Sequence, residues 1–101
     1  MFDRRHEARQ KIDLFLNKYV DGHPYLCRAR DISRTGLRVT AVHEPESSAV
    51  SSTLELRLPG DEKTLWVWAE QVWRRGKERA LHFVALHDRD QERLDAWIAA
   101  Q

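Results

Sequence analysis

The stretch Leu65-Trp66-Val67-Trp68-Ala69-Glu70-Gln71-Val72-Trp73 decides the fold class of this chain. It is crowded with β-branched and aromatic residues and alternates with the period of two that marks a strand. The phase slips near Glu70, which predicts a bulge that re-aims Trp73. Downstream, Arg74-Arg75-Gly76-Lys77 reads as a turn. Ala80 to Leu86 reads as a last strand, with Leu81 and Phe83 on one face. Upstream, Leu54, Leu56 and Leu58 alternate with Glu55 and Arg57 before the turn Pro59-Gly60-Asp61. Glu44 to Ser52 is a polar loop. Leu37 and Val39 alternate with Arg38 and Thr40. Tyr25, Cys27 and Ala29 alternate with Leu26, Arg28 and Arg30, and Ile12, Leu14 and Leu16 with Asp13, Phe15 and Asn17. Arg5, Arg9, Ile12 and Leu16 also have helical spacing, but a strand from about Gln10 is the expectation. Short alternating runs between regular turn signals indicate an all-β sandwich or barrel. The chain closes on a C-terminal helix over 88–100. Asp88 is its expected N-cap, with Gln91 three residues on, and Leu94, Trp97 and Ile98 form its apolar stripe. Trp66, Trp68 and Trp73 are expected in the core.

The 101 residues fit one domain, with residues 1–9 a flexible leading segment and 10–86 the β-structure. At 42% hydrophobic and 33% charged the composition is that of a folded protein. Cys27 is the single cysteine, which excludes an internal disulfide framework and a Cys-rich zinc site. The apolar runs are too short to span a membrane, and Met1-Phe2-Asp3-Arg4-Arg5 leads into charges rather than an apolar signal region. A reduced, cytoplasmic protein without membrane insertion is expected. The net charge of +1 conceals an asymmetry. Residues 1–40 carry nine basic and five acidic groups, whereas residues 41–101 carry eight and eleven. The basic half suits an anionic partner.

Two segments carry recognisable chemistry. Arg4-Arg5-His6-Glu7-Ala8-Arg9 places Arg5 and Arg9 four apart behind Arg4, and Asp31-Ile32-Ser33-Arg34-Thr35-Gly36 joins the second and third strands. An arginine fork matches phosphate or the O6/N7 edge of guanine. An ionised Asp31 accepts from the N1–H and amine of the opposite guanine edge. Ser33 can donate or accept, and Gly36 permits a positive φ.

In this order and spacing the two segments resemble the PilZ domain, the bacterial receptor module for the second messenger cyclic di-GMP. That family's R-x-x-x-R is matched by Arg5 and Arg9, and its [DN]-x-S-x-x-G by Asp31, Ser33 and Gly36. Ala80-Leu81-His82-Phe83 resembles its G-I-x-F strand, with Ala80 in place of glycine, and Val67-x-Ala69 with Val72-Trp73 resembles its fifth strand. The resemblance implies a six-stranded antiparallel split β-barrel with a C-terminal helix, and a stand-alone receptor whose N-terminal arginines order over the bound dinucleotide. It implies ligand contacts from Arg4, Arg5, Arg9, Asp31, Ser33 and Gly36, with Arg34 and Arg38 beside the loop as further candidates for phosphate. Arg4 directly before the motif implies two cyclic di-GMP molecules per protomer. The output would pass to an effector protein controlling motility, pili or exopolysaccharide.

No G-x-S-x-G, H-E-x-x-H or phosphate-cradling loop is present, so a catalyst is not expected. The two alternatives are a PilZ-like barrel that binds only protein, and a small barrel that stacks single-stranded nucleic acid on Trp66, Trp68 and Trp73. Glu62 and Glu70 beside those tryptophans argue against nucleic acid, and no DNA or RNA partner is expected. Trp66 or Trp68, if outward, would mark a docking patch.

Overall fold

Six strands follow one another as β1 (Gln10–Val20), β2 (His23–Ile32), β3 (Gly36–Ala41), β4 (Ser51–Leu56), β5 (Leu65–Arg75) and β6 (Glu78–Leu86), and the helix α1 (Asp88–Ala99) ends the chain. The computed structural model describes residues 9–44 and 50–101. All pairings are antiparallel, and the strands close into a barrel in the order β1-β2-β3-β6-β5-β4. Closure removes the unpaired edges that an open sheet of this size would expose.

The β1–β2 hairpin turns on Asp21 and Gly22, with φ of 51° and 81°. A two-residue turn with both central φ positive twists as the flanking strands do, which is why Asp-Gly is favoured there. At this end of the barrel lie the β1–β2 and β5–β6 hairpins and the segment leaving β3. The opposite end gathers the start of β1, the β2–β3 loop, the β4–β5 connection and α1.

The alternation foreseen in the sequence sorts side chains between barrel interior and surface. Leu16, Cys27, Ala29, Leu37, Val39, Leu54, Val67, Ala69 and Leu81 point inward and are almost wholly buried. From α1, Leu94 and Ile98 join this core and plug the barrel end. The Trp97 indole Nε1 donates to Pro59 O at 2.9 Å. Arg93 grips Asp61 Oδ2 and the Lys63 carbonyl, both at 2.8 Å, and so ties the helix to the β4–β5 connection.

Several expectations are corrected. Trp66, Trp68 and Trp73 are exposed at 47%, 45% and 40% rather than in the core. A barrel this narrow is filled by aliphatic side chains, and β5 turns Leu65, Val67 and Ala69 inward, leaving the indoles outside. Trp97 does pack on the core as expected. The helix N-cap is His87, whose Nδ1 accepts from Arg89 N at 3.3 Å. Asp88 instead joins Asp90 in the first turn, where carboxylates favour the helix dipole. β4 ends at Leu56, two residues short of the expected run. Leu58 is nevertheless buried, because the turn that follows carries it under the helix end of the barrel. Ser51 and Ser52 open β4 instead of belonging to the polar loop. The expected bulge in β5 is present as two register shifts against β6, between Trp68 and Ala69 and between Gln71 and Trp73.

Cys27 is 2% exposed, and burial pushes its thiol pKa up to about 11. A thiol so held is neither accessible nor ionised at neutral pH. The native protein is expected to resist a thiol-exchange reagent at pH 7.5 and to react promptly once unfolded in denaturant. Prompt labelling of the native protein would contradict the packing described here.

Candidate functional site

The β2–β3 connection owes its shape to Ser33. Its side chain is fully buried, and Oγ accepts from the backbone N–H groups of Thr35 and Gly36, each at 3.2 Å. The Ser33 N–H donates to Gly36 O at 2.9 Å, and Phe83 N–H reaches Thr35 O at 2.8 Å, fastening the loop to β6. Gly36 is required for a different reason than the positive φ expected. It does not lie in the left-handed region, but a Cβ there would sit 2.7 Å from the Leu81 carbonyl oxygen. Ser33 and Gly36 therefore set the loop's form, and Asp31 presents its carboxylate from the penultimate position of β2.

Arg9, one residue before β1, places Nε 3.0 Å and Nη2 2.5 Å from Asp31 Oδ1. The side chains are 42% and 20% exposed. A pair this wet contributes at most about 1 kcal/mol, so a better partner can displace either member. Strand pairing extends the site sideways. Lys11 lies opposite Asp31, Asp31 opposite Arg38, Arg38 opposite Ala80, and Ala80 opposite Trp73. Five strands thus contribute one row of side chains to a single band of the outer wall. Arg38 sits over the Trp73 ring, its guanidinium carbon 5.5 Å from the centroid. Ala80, the smallest side chain of the row, stands between them.

The remaining candidates divide. Arg34 turns to the helix, with Nε 3.0 Å and Nη2 3.4 Å from the two oxygens of Asp95. Arg4 and Arg5, with the rest of the leading segment before Arg9, lie outside the described residues, as do residues 45–49 of the polar loop. Sequence reasoning missed two neighbours. Alternation turns Arg30 outward, and the register shift between Ala29 and Asp31 leaves Asp31 only half-buried beside it instead of facing the core. Trp73 enters the row through the β5 bulge, whose presence was legible but whose aim was not. The first-half basic excess is only partly available. Arg28 is held by both oxygens of Asp13 at 2.6 Å, which lowers the Asp13 pKa with a smaller contribution from Arg30, while Arg9 pairs with Asp31 and Arg38 stands opposite it in register.

Chemically, the band offers an acceptor-only carboxylate, guanidinium forks on either side of it and an indole face. That set matches a planar heterocycle with an N–H donor edge joined to an anionic group. No group of His, Cys, Asp and Glu suited to a metal ion occurs among the described residues. Among the described residues no helix is long and apolar enough to cross a membrane.

A family model described as PilZ domain matches residues 3–100. No curated protein matches the chain. Among solved structures, the Bacillus subtilis inhibitor of motility, MotI/DgrA, superposes with a TM-score of 0.76 at 21% identity. The match covers 98% of this chain and 51% of that one, so the chain spans about half the length of that neighbour. An uncharacterised Legionella protein, Lpg0364, superposes with a TM-score of 0.63 at 16% identity, over 91% and 90% of the two chains. At such identities the likeness establishes the barrel and helix.

Proposed function

The chain belongs to the PilZ domain family, and we propose that it is a cyclic di-GMP receptor that acts as an adaptor for an effector protein. One observation carries this: Asp31, Arg38 and Trp73 lie in a single cross-strand row, with Arg9 already on the Asp31 carboxylate. The Arg9 fork presents two N–H donors to Asp31, much as a guanine N1–H and amine would. Ligand exchange at Asp31 then transfers the aspartate to the base and turns Arg9 toward the guanine O6/N7 edge or a phosphate. Arg38 and Arg30 supply further charge for the phosphodiesters, and the Trp73 face supplies stacking at about 1–3 kcal/mol per base. Ser33 and Gly36 hold the loop, and Arg34 joins the phosphate contacts only by leaving Asp95.

Arg4 and Arg5 complete the clamp from the leading segment, and Arg4 favours two ligand molecules per protomer. The switch is one of order drawn by charge-assisted bonds, with no covalent chemistry. Isothermal titration with cyclic di-GMP tests the proposal. Two molecules should bind per chain, with quenching of tryptophan fluorescence from Trp73. A stoichiometry of one would remove the role given to Arg4, and no heat at all would remove the receptor.

A further inference from the structure

Away from the Asp31 row, the wall formed by β1, β4, β5 and β6 carries a second band of exposed side chains. Tyr19 faces Thr53, Thr53 faces Trp68, and Trp68 faces Ala85; one register step along, Asn17 faces Glu55 and Glu55 faces Trp66. The Tyr19 and Trp66 rings tilt together with centroids 5.9 Å apart. Trp66, Trp68 and Val84 are exposed at 47%, 45% and 48%. Large apolar side chains this exposed and this close together are costly unless something covers them.

The charges around the patch decide what covers it. Glu55 borders it on one side, holding Asn17 Nδ2 at 3.0 Å and the Tyr19 hydroxyl at 3.3 Å. Glu70, exposed and without an ion-pair partner among the described residues, borders it on the other, opposite Ser51 and His82. A nucleic acid would bring phosphate against both carboxylates. A second copy related by a two-fold axis would bring the same carboxylates onto this face. A cationic segment meets neither obstacle: lysine or arginine pairs with Glu55 and Glu70 and also lies well over indole faces. Four strand positions separate the Trp66 and Glu70 rows, roughly 13 Å, close to two turns of a helix at roughly 11 Å.

We propose that the Tyr19–Trp66–Trp68–Val84 face is the effector-docking surface, and that its occupant is a cationic amphipathic helix of the partner protein. The proposal rests on the adaptor half of the function given above and not on nucleotide binding. Its test uses the full chain and three 18-residue amphipathic peptides of leucine with lysine, serine or glutamate, followed by fluorescence anisotropy of a peptide label. The leucine–lysine peptide should bind at least tenfold more tightly than the other two. Trp68→Ala and Trp66→Ala should each weaken it at least tenfold, and Glu55→Gln with Glu70→Gln should weaken it several-fold and flatten its salt dependence. All four positions are surface-exposed or half-buried, and unchanged circular dichroism and melting of the variants will separate lost binding from lost folding. Equal binding of the three peptides, no binding of the lysine peptide, or indifference to Trp68→Ala would overturn the proposal. So would self-association of the chain, or oligonucleotide binding, that Trp68→Ala abolishes. Titration of the same variants with cyclic di-GMP keeps the two readings apart, because the docking variants should bind nucleotide unchanged.

Discussion

Asp31→Ala, Arg9→Ala and Arg5→Ala should each reduce cyclic di-GMP affinity by about ten- to a hundredfold, with the barrel still folded. Each removes a hydrogen-bonding partner that is charged, and such bonds contribute about 1.5–3 kcal/mol. Asp31 should sit at the severe end, since its loss leaves the donor edge of a guanine facing alanine and also frees Arg9 from its resting partner. Asp31→Asn keeps one acceptor but adds a donor against a donor edge, so it should rescue little. Stability should barely move in Asp31→Ala, because the Arg9–Asp31 pair is 42% and 20% exposed and contributes at most about 1 kcal/mol. Calorimetric titration beside thermal melting gives both quantities from one set of proteins. Three variants that all bind as the parent does would place the nucleotide elsewhere on the chain.

That separation between binding and folding reflects which parts of the molecule could be read from residues alone. The six strands and the helix were legible because period-two alternation and Gly-containing turns are local signals. The strand expected from about Gln10 does begin there despite a competing helical spacing, and Leu94 and Ile98 of the expected apolar stripe are buried. The fate of the tryptophans was not legible. Alternation shows that Trp66 and Trp68 share a face, but whether that face is inward depends on the barrel's diameter, a property of all six strands together. The site was half legible for the same reason. Arg9, Asp31 and Gly36 announce themselves by order and spacing. The alignment of Asp31 with Arg38 and of Trp73 with Ala80 depends on bulges that break the alternation. Gly36 was singled out for the wrong physics: the constraint is a backbone 45 residues away in β6, not its own φ.

The largest effect on stability should come from Glu44. At the barrel end remote from α1, Lys18 from β1 and Arg79 from β6 are only 6% and 5% exposed, and both converge on this one carboxylate. Lys18 Nζ lies 2.7 Å from Oε1, and Arg79 reaches both oxygens while also donating to Gly76 O and Glu78 O. Glu44→Ala strands two cations, and breaking a buried pair costs about 3–5 kcal/mol. The Glu44 side chain is 20% exposed, so water relieves part of this and the lower figure applies. In a domain of about 100 residues, about 3 kcal/mol lowers Tm by roughly 12–24 °C. Lys18→Met should be close to neutral, because it leaves a one-to-one Glu44–Arg79 pair and fills the same volume, so the two substitutions should be strongly non-additive.

The pH dependence follows from the carboxyl group itself. Burial raises its pKa, but the hydrogen bonds from Arg79 and Lys18 outweigh burial and bring it below the ordinary 4.5. A folded-state pKa below the unfolded one means stability that is complete above about pH 4.5 and is lost as the pH falls through the lower, folded value. The Tm gap between parent and Glu44→Gln should therefore be widest near neutrality and narrow as the pH falls from neutrality to well below 4.5. A gap that held constant across that range would show that the glutamate contributes shape rather than charge. An Glu44→Ala protein melting with the parent at pH 7 would show that Lys18 and Arg79 reach solvent without it.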